Sequence, residues 1–170
     1  MSSAKDNRAD RAAATQRGEN TGSPGIADVV LRELYGYWFM KKKGGLLPSR
    51  SEIDPNEMRR LLPNIILMDV LRDPLCFRIR LMGTECEAGY GADATNQCLD
   101  KLDLGNRTSD ILQDCRYAAL SQEPLYKYYN VTKQDGHELC FELLLLPLSS
   151  DGLTVDMLLG GMAFGRAPAN

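Results

Sequence analysis

A chain of 170 residues is the size of a single domain, and 44% hydrophobic with 25% charged residues is an ordinary globular balance. A net charge of −3 offers no general field for nucleic acid, and no apolar stretch approaches the roughly 20 residues that cross a bilayer. The five cysteines (Cys76, Cys86, Cys98, Cys115 and Cys140) are odd in number and widely spaced, with no Cys-x-x-Cys pair, so their spacing indicates neither a disulfide framework nor a zinc site. Free thiols at mostly apolar positions, and an N-terminus without the apolar core of a signal peptide, give the expectation of a soluble cytoplasmic protein.

Residues 1–25 are polar, of mixed charge, and close on Gly22-Ser23-Pro24-Gly25; they read as a disordered tail, as do the short residues 166–170. Ile26 to Met40 repeats apolar residues at three- and four-residue steps (Ile26, Val30, Leu34, Tyr37, Trp38), which predicts an amphipathic helix. Val29 and Leu31 widen its stripe beyond what one sheet requires, so the helix is expected to touch a second copy of the chain. Lys41-Lys42-Lys43 opposes the negative end of that helix, a plainer reading than a polyanion site. Asp54-Pro55-Asn56-Glu57 combines an N-cap, a first-turn proline and a capping glutamate, which predicts a short helix through Leu62 stopped by Pro63.

Ile65–Leu71 and Phe77–Met82 read as strands joined by the Arg72-Asp73-Pro74 turn, the second placing Phe77, Ile79 and Leu81 on one face. Asp69 should then pair across the hairpin with Arg78 or Arg80. Thr84 caps a short helix, a glycine-punctuated loop runs from Tyr90 to Thr95, and Gln97 to Leu104 is briefly helical. Thr108 or Ser109 caps a longer helix ended by Pro124. Three more strands follow: Leu125–Lys133, His137–Leu146 after Gln134-Asp135-Gly136, and Val155–Phe164 after Ser149-Ser150-Asp151-Gly152. Gly160-Gly161 inside the last strand marks a bulge or close packing rather than a phosphate loop.

The order helix, two strands, helical insert, three strands resembles the PAS fold. That resemblance implies an α+β domain over residues 26–165: a five-stranded antiparallel sheet in the order 2-1-5-4-3, with a helical insert between strands 2 and 3 and an N-terminal flanking helix. The runs Leu47-Pro48-Ser49-Arg50, Ile53-Asp54-Pro55, Leu61-Leu62-Pro63 and Phe77 to Thr84 are similar to those of short bacterial single-domain PAS proteins formerly classed as a domain of unknown function. The resemblance implies a sensory or interaction domain, often a dimer through a flanking helix, and supplies no catalytic residues. PAS photosensors bond flavin through a cysteine in an Asn-Cys-Arg-Phe-Leu-Gln run. The comparable Asn96-Gln97-Cys98-Leu99-Asp100-Lys101 lacks the arginine and glutamine and displaces the cysteine, so Cys98 reads as a small buried apolar residue.

Catalysis is not expected: the single histidine, His137, follows Asp135-Gly136 at an exposed hairpin turn. No metal site is indicated, the cofactor is left open, and any output passes through an unidentified partner protein. Two readings stand side by side. In one, a small apolar ligand binds between insert and sheet, against Ile79, Leu81 and Phe141, with Thr84, Tyr90 and Thr95 as polar groups. In the other, side chains fill that space and the domain is a ligand-free adaptor that dimerises through its N-terminal helix. A wholly apolar lining favours the adaptor; convergent polar groups favour the sensor.

Overall fold

Asp28 begins the first element: its carboxylate accepts the Leu31 amide at 3.0 Å, an N-cap that starts helix α1, Val29–Lys41. The computed structural model describes residues 24–165, so the expectations for residues 1–23 and 166–170 lie outside the described residues. Leu31, Leu34 and Trp38, at helical spacing, are buried to the last few per cent, while Val29, Phe39 and Met40 stay exposed.

Past α1 the chain makes a 3-10 turn at Arg50–Glu52. The helix expected from Asp54 does not form. Residues 55–61 are successive turns closed by three-residue bonds such as Glu57 N to Asp54 O and Leu61 N to Met58 O, followed by a 3-10 turn at Leu62–Asn64. Pro55 and Pro63 leave too short a run to propagate an α-helix, and side chains hold the turns instead. The Tyr37 hydroxyl accepts the Asp54 amide and donates to Glu57 at 2.7 Å, and Lys41 lies 2.6 Å from the same carboxylate.

The sheet follows. β1 (Ile65–Leu71) and β2 (Cys76–Met82) form the hairpin; α2 (Thr84–Tyr90), 3-10 turns at Leu99–Lys101 and Gly105–Arg107, and α3 (Thr108–Ser121) make the insert. β3 (Leu125–Thr132), β4 (Glu138–Leu148) and β5 (Met157–Phe164) complete an antiparallel sheet in the order β2-β1-β5-β4-β3. The expected architecture and strand order are those observed. β4 runs through Pro147 because β3 stops pairing at Leu145, leaving an open edge where a missing N–H costs nothing. There the Pro147 carbonyl accepts the buried Trp38 indole N–H at 2.9 Å, which locks α1 to the sheet.

Central strands apolar on both faces build two cores. Ile65, Leu67, Leu144, Leu146 and Leu159 pack beneath α1; Ile66, Met68, Leu143, Leu145 and Leu158 face the insert and α3. At Gly161 an added Cβ would stand 2.7 Å from Leu31 and Leu34, so the glycine lets α1 lie flush on the sheet, the close packing expected there. Carboxylates inside these layers are all engaged. Asp69 receives Arg78 at 2.9 Å and Arg80 at 3.7 Å, the expected cross-strand pair, and Glu142 accepts the Tyr126 hydroxyl at 2.6 Å and the Asp28 amide at 3.2 Å.

Gly83 joins β2 to α2 with its amide on Ile65 O, and a Cβ there would lie 2.3 Å from Leu62 O and 2.4 Å from Pro63 O. Backbone oxygens cannot yield as a side chain can. Gly83→Ala is therefore expected to cost about 1–3 kcal/mol, the usual range for overpacking, as a lowered urea midpoint with an unchanged slope.

Candidate functional site

β2 turns toward the insert with a change of phase. Met68 pairs with Ile79 but Leu67 pairs with Leu81, so Arg80 is an extra residue in β2, a bulge. One unpaired residue exchanges the faces beyond it. Phe77 and Ile79 point into the insert-side core, and past the bulge Met82, not Leu81, continues that face. Leu81 is 41% exposed, which corrects the placement expected from strict alternation.

Below the insert lies a cavity of about 60 Å³ with a wholly apolar wall. Ile79, Met82, Met68 and Ile66 form the hairpin side; Phe141, Leu143, Leu145 and Met162 come from β4 and β5. Leu99, Leu102 and Leu104 close it from the insert, Ile111 and Cys115 from α3, and Tyr90 from the end of α2. Of the six residues expected here, the structure brings together Ile79, Phe141 and Tyr90. Leu81, Thr84 and Thr95 are elsewhere. Thr84 is exposed at the first position of α2, where Gly83 rather than a threonine hydroxyl stands as N-cap. Thr95 turns its hydroxyl onto Asp93 at 2.6 Å.

Tyr90 gives the cavity its ring and nothing polar. Its hydroxyl accepts the Asp103 amide at 3.2 Å, its carbonyl accepts Lys133 Nζ, and the same ammonium lies 4.5 Å from its ring centroid. These contacts tie α2 to the loop before α3 and to the end of β3. Glycine helps here: a Cβ at Gly89 would stand 2.3 Å from the Phe164 ring, so α2 rests directly on β5.

α3 is anchored by a group the sequence reading passed over. Asp114 is buried on its inner side and receives the Tyr129 hydroxyl and Lys127 Nζ, the latter at 2.6 Å. Burial, and then this carboxylate, push the Tyr129 phenol far above its ordinary range, so it stays a neutral donor. Ile111, Cys115, Ala118 and Ala119 recur at helical spacing and form the core face of α3, a pattern that does not say which part of the helix overlies a space.

The cysteines divide. Cys86 and Cys115 are buried thiols whose pKa desolvation pushes up to about 12. Cys76, at the start of β2, and Cys98, in the insert, are both half-buried and joined as a disulfide. That corrects the expectation that all five thiols are free and that Cys98 is a buried apolar residue. Twenty-two residues separate the two, so only the fold brings them together. Neither lines the cavity. His137, 81% exposed in its side chain, sets its Nδ1 3.0 Å from the Asp135 carboxylate.

Sheet order, insert and cavity position together define a sensor-type fold, and comparison with known proteins agrees. The profile of the PAS domain family matches residues 27–163, so this chain belongs to the PAS domain family. A PAS domain from Colwellia psychrerythraea superposes with a TM-score of 0.51 at 19% identity, over 66% of this chain and 98% of that one. The Rhodobacter sphaeroides light-oxygen-voltage protein gives 0.50 at 16% identity, covering 68% and 70%. A light-oxygen-voltage domain studied with a flavin analogue gives 0.52 at 14%, covering 65% and 83%. At such identities the likeness is one of fold. No curated protein matches the chain.

A space of this size beside Cys115 leaves its lining without neighbours on one side. Cys115→Leu adds carbon directed into the cavity, and is expected to stabilise the protein by about 0.5–2 kcal/mol, the usual gain from cavity filling. A raised melting temperature in calorimetry checks it; a lowered one means the space cannot accept the methyl groups.

Proposed function

We propose that this chain is a non-enzymatic PAS sensory module in which the cavity under the insert takes one small apolar molecule, with occupancy passed to a partner protein. The observation that carries this is that side chains leave the space unfilled, which the adaptor reading did not expect. At about 60 Å³ it exceeds the ~10–15 Å³ that one water needs, yet it offers a water no partner, so it is a dry site suited to an apolar guest. An apolar cavity of about 150 Å³ holds benzene, so the guest here is smaller unless the insert yields.

A flavin does not fit these residues. The polar edge of an isoalloxazine would meet an apolar wall, and Cys98 is turned away to Cys76. The same lack of polar groups favours a second reading, a ligand-free adaptor. A panel of small apolar molecules separates the two. A guest at a hundredfold its dissociation constant raises stability by about 2.7 kcal/mol, and Cys115→Leu abolishes the shift. If no compound moves the melting point of the unsubstituted protein, the adaptor reading replaces the sensor.

For the output we place the partner surface on α1. Val29, Phe39 and Met40 are exposed by 56%, 53% and 84%, and nothing lies within 4 Å of a Cβ built at Gly36. A second copy of α1 fits this face, giving a homodimer in the cytoplasm, with no nucleic acid or membrane as partner. No described helix is long and apolar enough to cross a membrane. Sedimentation equilibrium should show a dimer that Met40→Asp weakens at least tenfold; a monomer at high micromolar concentration removes this part of the reading.

A further inference from the structure

One feature of the insert is independent of any ligand. β2 is an edge strand, and residues 96–98 lie along its open side: Ile79 N donates to Gln97 O at 2.9 Å, Asn96 N donates to Ile79 O at 2.7 Å, and Arg78 bridges Cys98. The chain then enters the core at once, with Leu99 buried and Leu102 and Leu104 on the cavity wall. Cys76 and Cys98 stand at the outer end of this seam, Cα atoms 6.4 Å apart, within the span a disulfide bridges without backbone movement. Both are partly open to solvent, unlike Cys86 and Cys115.

We propose that Cys76 and Cys98 form a reversible redox site, oxidised by low-molecular-weight disulfides, whose bond latches the cavity-covering half of the insert to the edge of the sheet. The exchange is balanced. One cysteine thiolate attacks the small disulfide, forming a mixed disulfide and expelling one small thiolate. The second cysteine thiolate attacks the protein sulfur of that mixed disulfide, closing Cys76–Cys98 and expelling the second small thiolate. Two protein thiols are oxidised, one small disulfide is reduced to two thiols, and the two protons pass to those products. Reduction by an excess of small thiol runs the same steps backwards. Cys86 and Cys115 do not compete, because burial keeps them as thiols; the third free cysteine, half-buried Cys140 on β4, has no disulfide partner among the described residues, so a glutathione taken there is counted separately in the peptide map. When the bond opens, the seam at residues 96–98 keeps its two backbone hydrogen bonds, with Leu99, Leu102 and Leu104 packed beyond it and Asp103 on Tyr90, and local opening of residues 96–104 becomes easier.

The full chain is equilibrated with oxidised or reduced glutathione, and then read by peptide mapping and amide hydrogen exchange. The expected result is loss of two thiols, mapped to Cys76 and Cys98 and restored by reduced glutathione. Exchange at Ile79 and Asn96, whose amides make the two bonds across the seam, should be about tenfold slower in the oxidised form. Cys98→Ser should stop at one glutathione on Cys76, and the double variant Cys76→Ser/Cys98→Ser should exchange at the reduced rate in both buffers. Two thiols that remain free overturn the proposal, as does equal exchange in both states. A thiophilic metal bound by freshly purified protein in place of the bond also overturns it; Cys76, Cys98 and Asp100 donors do lie within 4.8 Å of one another. None of these readouts requires a cavity ligand, so failure here and failure of the sensor reading are separate results.

Discussion

Three adjacent strands, β1, β5 and β4, are apolar on both faces, and a sheet of that kind has to be covered twice. The two covers are built differently. α1 is one continuous helix, set flush by Gly161, with Trp38 hydrogen-bonded into the open edge beside Pro147. The opposite face is covered by α2, two 3-10 turns and α3, pieces whose orientation is set by separate anchors. A continuous helix can interdigitate along its length; several short pieces leave a remainder, and the cavity is that remainder.

The polar groups explain why the remainder is dry. Among the described residues no buried side-chain nitrogen or oxygen lacks a hydrogen-bond partner. The carboxylates set within the layers are spent on architecture. Glu142 holds the start of α1, Asp114 holds α3 to β3, and Asp69 closes the hairpin. Tyr90 follows the same rule, its hydroxyl and carbonyl both used to join segments of the insert and β3. What faces the space is therefore carbon and sulfur.

On the proposed reading, these facts link architecture to signalling. A cavity closed by short segments can register occupancy as a change in how firmly those segments sit, because their stability is local. The two faces also share backbone: Leu144 packs beneath α1 while Leu143 and Leu145 line the cavity. On that reading, a shift on the cavity face would reach the layer that carries α1 through alternate residues of one strand.

Sequence alone determined the element order, because it rests on short-range chemistry, whereas the strand order 2-1-5-4-3 was what the resemblance to the PAS fold implied. Period-two alternation marks strands, and Asp-Gly and Asp-Pro mark turns; the Asp69–Arg78 pair followed from a hairpin nine residues across. The helix expected at Asp54 failed for an equally local reason, a run bounded by two prolines, although its apolar residues Met58 and Leu61 are buried all the same. Tertiary structure decided the site. The bulge at Arg80 exchanged Leu81 for Met82 on the inner face, and nothing in Phe-Arg-Ile-Arg-Leu-Met announces it, since a bulge depends on how β1 and β2 pair. Thr84 and Thr95 look available as letters but are occupied or exposed once α2 and the Asp93 turn are placed. Cys76 and Cys98 meet only because the insert folds back along the strand that precedes it. The cavity itself is a difference between the volume the sheet and insert enclose and the volume their side chains fill, a quantity belonging to no single segment.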